Sequence, residues 1–245
     1  MRLNRLMLTA AACVLVASSV SCTSHAQSDP GFGDKVRAYL LEHPEVIEEA
    51  IQKLQDKRQA DTEAKAKAAL TQSRPSLEHD ARDFVANAGG KVTVTEFYDY
   101  RCPHCVNAAP KVLSLIKANP DVRFVFKEMP IFGDVSEHAA RAAIAAKVQG
   151  KDVLALYQTF MATRGLDDAA VDRIAKGQGI EIAKAETGQA RSEADAEIAD
   201  VHKLASTLQI DGTPTFIIGD TIIPGEDMDA VEAAIAKARG GAKAG

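Results

Sequence analysis

Cys102 and Cys105 stand with only Pro103 and His104 between them, and the residues on either side narrow what the chain can fold into. Upstream, Lys91 to Tyr98 reads as a strand, with Val92, Val94 and Glu96 alternating with Thr93, Thr95 and Phe97 after an Ala88-Gly89-Gly90 turn. Downstream, Pro103 to Ala118 reads as a helix with Val112, Leu115 and Ile116 on its core face, closed by Asn119-Pro120-Asp121. Val122 to Lys127 then reads as a second strand, which makes a parallel strand–helix–strand unit with the cysteine pair at its first turn.

The rest of the chain fits around that unit. Ala139–Val148, Asp152–Ala162, Asp167–Gly177 and Glu181–Leu208 read as helices parted by Gly150, Gly165 and Gly179. Gly212-Thr213-Pro214 is a turn, Thr215–Ile218 and Thr221–Ile223 form a hairpin around Gly219-Asp220, and Asp229–Arg239 is a closing helix. A small mixed sheet covered by helices is an α/β arrangement. The order of elements fits a thioredoxin-like fold over 76–245, with a helical insertion at about 136–208.

The first residues read as a secretory signal over 1–26. Arg2 and Arg5 precede a mostly apolar stretch from Leu6 to Val20, and Ser24-His25-Ala26 has the small-x-small form of a cleavage site. The apolar run is short for a membrane span, which needs roughly 20 residues. An uncleaved anchor, or a lipoprotein cut before Cys22, are the alternatives, and Ser19-Val20-Ser21 is a poor lipobox. Cleavage after Ala26 removes Cys13 and Cys22, so that of four cysteines only Cys102 and Cys105 remain. The localisation expected is the periplasm.

Residues 27–75 read as an N-terminal helical segment. Asp34–His43 is a short helix, Pro44 opens another, and Val46, Ile47, Ala50, Ile51 and Leu54 recur at helical spacing. From Gln55 to Lys67 the stripe is lost, and a helix polar on every side has no face to bury. The second helix therefore reads as a solvated connector ending near Arg74-Pro75. One reading packs the stripe on its own domain; the favoured one buries it against copies of itself, as a homo-oligomer.

The pair's position sets its chemistry. At a helix start, unpaired backbone N–H groups and the helix dipole favour an anion. The Cys102 thiol should be acidified, and the thiolate is the form that attacks a disulfide. Cys102 is thus read as the exposed attacking sulfur and Cys105 as the resolving one. Pro103 fits the first turn, and His104 would add positive charge near the Cys102 sulfur. Stabilising the thiolate makes the disulfide more oxidising. Zinc would need about four ligands; there is no second cysteine pair, and His25, His43, His79, His138 and His202 lack ligand spacing. An inert structural disulfide is the other alternative, but so short a loop constrains the unfolded chain little. A net charge of −5 without a clustered basic stripe speaks against nucleic acid as a partner.

Glu96-Phe97-Tyr98-Asp99-Tyr100-Arg101-Cys102-Pro103-His104-Cys105 resembles the active-site strand and motif of the periplasmic DsbA family, and Thr213-Pro214 resembles its Thr–cis-Pro loop. The resemblance implies that Pro214 is cis and faces the pair, that Thr213 and Pro214 offer backbone to a bound substrate chain, and that Glu96 is buried beneath the cysteines and assists proton transfer. The bland reading of Glu96 is a strand residue that finds solvent. Lys127 is a weaker candidate to pair with it, and Tyr98 and Tyr100 read as wall or core. Tyr39-Leu40-Leu41-Glu42-His43-Pro44-Glu45-Val46 is similar to the N-terminal segment of the suppressor-of-copper-sensitivity C (ScsC) proteins and related DsbG-like proteins. That implies self-association, with a trimer favoured.

The expected activity is protein disulfide isomerisation, with dithiol oxidation as the alternative. No cofactor is expected beyond the Cys102–Cys105 disulfide. The expected partners are unfolded or misoxidised secreted proteins and a membrane thiol reductase of DsbD or ScsB type, or a DsbB-like oxidase if the protein is an oxidase. A third reading is copper binding, with Cu(I) held by Cys102 and Cys105.

Overall fold

The computed structural model describes residues 31–242. The signal segment and the start of the N-terminal segment lie outside them. Contacts divide the chain into two units, residues up to Lys57 and residues from Arg58 onward.

The first unit holds α1 (Phe32–Glu42) and the beginning of α2 (Glu45–Glu78). Nothing in α1 is buried. Phe32, Val36, Tyr39 and Leu41 are exposed, as are Ile47, Ile51 and Leu54. The last three recur at i, i+4 and i+7, which aligns them along one helical stripe.

The second unit is built on a five-stranded sheet in the order β1-β3-β2-β4-β5. Its strands are β1 (Phe84–Ala86), β2 (Val92–Tyr98), β3 (Val122–Glu128), β4 (Thr215–Ile218) and β5 (Thr221–Pro224). β2 and β3 are parallel, joined by α3 (Pro103–Ala118); the other pairings are antiparallel. Between β3 and β4 come α4 (Asp134–Val148), α5 (Val153–Ala162), α6 (Asp168–Gly177), α7 (Ile182–Ala185) and α8 (Gly188–Thr207). α9 (Met228–Ala242) closes the chain. One sheet face packs Val94, Tyr98, Phe126 and Phe216 with Cys105, Val112, Val231 and the inserted helices. The other packs Phe97 and Ile217 with Leu70 and Leu77 of α2 and with Val201 and Ala205 of α8. At the β2 entry, a Cβ on Gly90 would stand 2.6 Å from the Val122 carbonyl carbon, so the turn needs glycine there.

Several boundaries differ from the sequence reading, each for a physical reason. The connector does not stop at Pro75: α2 continues to Glu78 with Pro75 inside it. Its last turn is held because Leu77 is buried, Thr95 Oγ1 donates to the Leu77 carbonyl at 3.2 Å, and Lys127 Nζ donates to the Ser76 carbonyl at 2.5 Å. β1, three residues long, shows too little alternation to be read. α4 starts at Asp134 rather than Ala139, with acidic Asp134 and Glu137 in its first turn, where the dipole favours them. The stretch read as one helix from Glu181 is two, parted where Gly188 takes a φ of 59°.

Candidate active site

Cys102 caps α3 in an extended conformation, with Pro103 as the first helical residue. Its carbonyl accepts the Val106 N–H at 3.0 Å and its N–H donates to the Asp99 carbonyl at 3.2 Å, so the cysteine is fixed on both sides. Cys105 lies one turn further in, and both are free thiols. The Thr213–Pro214 peptide is cis, and the Cys102 thiol donates to the Thr213 carbonyl at 3.1 Å. That loop covers the pair. Cys102 is therefore buried, at 2% exposure, and not the exposed sulfur that its place at a helix start suggested.

The two thiols are pushed apart. Cys102 is lowered to about 5, by the Cys105 thiol first, then by the Thr213 side chain and the backbone N–H groups of Cys105 and His104, against the opposing effect of burial. Burial pushes Cys105 far up, with the Cys102 and Glu96 charges adding to it. The result is a nucleophile ionised at neutral pH beside a resolving thiol that keeps its proton. His104 acts through its backbone. Its exposed ring turns to Glu226, with Nδ1 3.2 Å from Oε1.

Glu96 lies on the same sheet face as Cys105 and is buried at 1% exposure. Tyr157 donates to its Oε1 at 3.3 Å, and Oε2 has no partner. Burial pushes its carboxyl up to about 8. Lys127 does not pair with it. β2 and β3 align Glu96 with Phe126 and Phe97 with Lys127, and alternation puts the two side chains on opposite faces. Lys127 instead meets Asp83 at 2.5 Å. Burial raises Asp83 to about 6 despite that lysine.

Three features around the site escaped the sequence reading. Asp99 is a buried carboxylate that accepts four hydrogen bonds: Oδ1 from Arg101 N at 2.6 Å and Ser136 Oγ at 2.9 Å, Oδ2 from Ile131 N at 2.6 Å and Phe132 N at 3.0 Å. It ties the loop before Cys102 to the loop after β3. Glu128 accepts the Tyr100 hydroxyl at 3.1 Å and that of Tyr98, so the two tyrosines read as wall also position a buried acid. Burial pushes the Glu128 carboxyl well up. Glu226 is the third; no local signal links it to His104, 122 positions away.

Known proteins resemble this arrangement at several levels. The DSBA-like thioredoxin domain matches residues 93–236, and the copper resistance protein ScsC N-terminal domain matches residues 31–61. A thioredoxin-like oxidoreductase from Silicibacter pomeroyi is 37% identical with a TM-score of 0.63, covering 68% of this chain and 97% of that one. A linker-deletion mutant of Proteus mirabilis ScsC is 28% identical with a TM-score of 0.67, covering 89% of this chain and 99% of its own. The thiol:disulfide interchange protein DsbA of Bordetella pertussis is 29% identical over 138 residues, 53% of this chain and 64% of that protein. A Salinispora arenicola Na(+)/H(+) antiporter, NhaA 1, also matches, at 28% over 156 residues, but the chain spans only 24% of its length. Among the described residues no helix is long and apolar enough to cross a membrane. With the cysteine pair and the cis-proline loop both inside the matched span, the chain belongs to the DSBA-like thioredoxin domain family of thiol–disulfide oxidoreductases.

Proposed function

We propose that the protein is a periplasmic protein disulfide isomerase that works as a homo-oligomer, with a trimer favoured. The Cys102 thiolate attacks one sulfur of a misplaced substrate disulfide. The Cys102–substrate bond forms, the substrate S–S bond breaks, and the departing substrate thiolate takes a proton. A second substrate thiolate then attacks the mixed disulfide and releases Cys102 as thiolate. If Cys105 attacks first, the pair closes to a disulfide, the substrate leaves reduced, and the Cys105 proton goes to Glu96 in its ionised form, which the raised carboxyl makes a base strong enough for the task. A membrane thiol reductase of DsbD or ScsB type would return that disulfide to the dithiol. The signal-like first residues and the likeness to a periplasmic thioredoxin-like protein of Salmonella enterica, 27% identical, support the compartment.

The observation that carries isomerase over oxidase is the exposed apolar stripe on α1 and α2. Phe32, Tyr39, Leu41, Ile47, Ile51 and Leu54 are too many apolar groups to leave in water. Copies joined through them would present several thiolates to one client and raise their effective concentration. Ile47→Glu with Ile51→Glu should turn the oligomer into a monomer in sedimentation, with refolding of scrambled ribonuclease falling roughly fivefold or more. Dithiol oxidation by the same variant should stay near its starting rate. A monomer with undiminished isomerase activity removes the role given to the stripe.

A second reading follows from the ScsC N-terminal match, whose family description is copper resistance: the reduced pair would bind Cu(I). Titration of reduced protein with Cu(I) should then show one site that Cys102→Ser abolishes. A titration that Cys102→Ser leaves unchanged ends this reading.

A further inference from the structure

Beside Cys102, a groove of about 520 Å³ runs between the first turns of α3 and the loop joining α5 to α6. Val106, Pro110, Met161 and Leu166 give it an apolar lining, and Arg101 and Arg164 line it as well. Arg101 places the groove next to the nucleophile by covalent connection. One of its nitrogens, Nη1, donates to the Phe132 carbonyl at 3.0 Å. Among the described residues neither of these exposed arginines makes an ion pair. On the other flank of Cys102, His104 is already matched by Glu226. Two unmatched guanidinium groups thus face a cleft beside the reactive sulfur in a chain whose net charge is −5.

We propose that Arg101 and Arg164 make this groove a client-selecting surface, fitted to an extended segment of unfolded protein that carries a carboxylate and an apolar side chain within a few residues of its cysteine. This rests on the oxidoreductase reading and names the substrate class of the same site. The apolar lining takes the client's hydrophobic side chain. A guanidinium takes the carboxylate through paired N–H donors, which a neutral or cationic segment does not satisfy. Exposed charges of this kind act mainly on encounter and are screened by salt.

The test is single-step attack by the full chain carrying Cys105→Ala, which traps the mixed disulfide. The probes are homodisulfides of three pentapeptides: Glu-Leu-Cys-Leu-Glu, the Gln analogue and the Lys analogue. Mixed-disulfide formation is followed by intact mass after acid quench, and each rate is divided by that peptide's rate with a small thiol. The Glu peptide should react roughly tenfold faster than the Lys peptide at low ionic strength, with Gln between them. In R101Q/R164Q the ratio should collapse to within about twofold, and high salt should do the same to the parent. The Gln peptide serves as the internal reference in each variant, so a general change at Cys102 divides out. A Glu-to-Lys ratio near one in the parent, or one that survives in R101Q/R164Q, overturns the proposal. Failure of all three peptides to react overturns the oxidoreductase reading and the proposal with it.

Discussion

The melting temperature of the reduced protein is expected to climb relative to that of its disulfide form as the pH rises from about 5 to 8. The cause is the Cys102 thiol, lowered from 9.0 to about 5. Its folded pKa lies below the unfolded one, so between those values the unfolded chain holds a proton that the folded chain has lost. Stability from this group is complete above pH 9 and is lost as the pH falls through 5. The disulfide form has no thiol to titrate, so its curve is a baseline. Glu96 and Asp83, whose raised carboxyls push stability the other way with pH, are present in both forms and largely cancel in the difference. The cross-link's effect on the unfolded chain does not depend on pH and leaves the slope alone. Allowing for solvent screening at the helix end, the gap should widen by roughly 2–3 kcal/mol over this range, or about 5–10 °C in Tm for a domain of this size. Calorimetry of both forms at matched pH measures it. A gap that stays flat would mean that the thiolate is not stabilised by the fold. The same free energy sets the direction of exchange, since a stabilised thiolate leaves a mixed disulfide readily and makes the closed pair oxidising.

The parts of this site that could be read in the sequence are those set by local rules. A cysteine followed by proline at the end of an alternating segment is a helix start, and Thr213-Pro214 sits between a helical block and a hairpin. What escaped depends on which sheet face a residue occupies and on partners far along the chain. β2 is buried on both faces, with Thr95, Glu96, Phe97 and Tyr98 all inside, so its pattern does not tell inward from outward. Glu96 and Lys127 were therefore open to pairing on paper although they lie on opposite faces. Nothing local marks Asp99, because three of its four donors come from residues 131 to 136. The cover over Cys102 likewise comes from Thr213, 111 positions away. The apolar stripe of the N-terminal helices was legible because its residues lie at i, i+4 and i+7 with no partner needed to define them.

Asp99→Ala is expected to cost roughly 3–5 kcal/mol of stability, the largest loss for any single polar side chain near the site, because it orphans four donors at once. The N–H groups of Arg101, Ile131 and Phe132 and the Ser136 hydroxyl all converge on this carboxylate at 2.6–3.0 Å. Alanine offers no acceptor, and only the donors nearest the surface can turn to water. Asp99→Asn keeps one oxygen but sets an amide against the remaining donors, so about half of the loss should remain. Function should suffer too. The loop carrying Ile131 and Phe132, both exposed, is held by Asp99 beside Arg101, and the Phe132 carbonyl in turn holds the Arg101 guanidinium. Loosening that loop should raise the Cys102 pKa from about 5 toward its unfolded value, since the hydrogen bond from Cys102 N–H to the Asp99 carbonyl helps place the cysteine at the start of α3. Urea unfolding with thiolate absorbance across pH reads both effects in one preparation. Glu226→Gln is the matched control. It removes an exposed partner of His104 and should change stability by less than about 1 kcal/mol. If Asp99→Ala unfolds within about 1 kcal/mol of the parent and titrates Cys102 at the same pH, the four hydrogen bonds are not what holds the attacking cysteine in place.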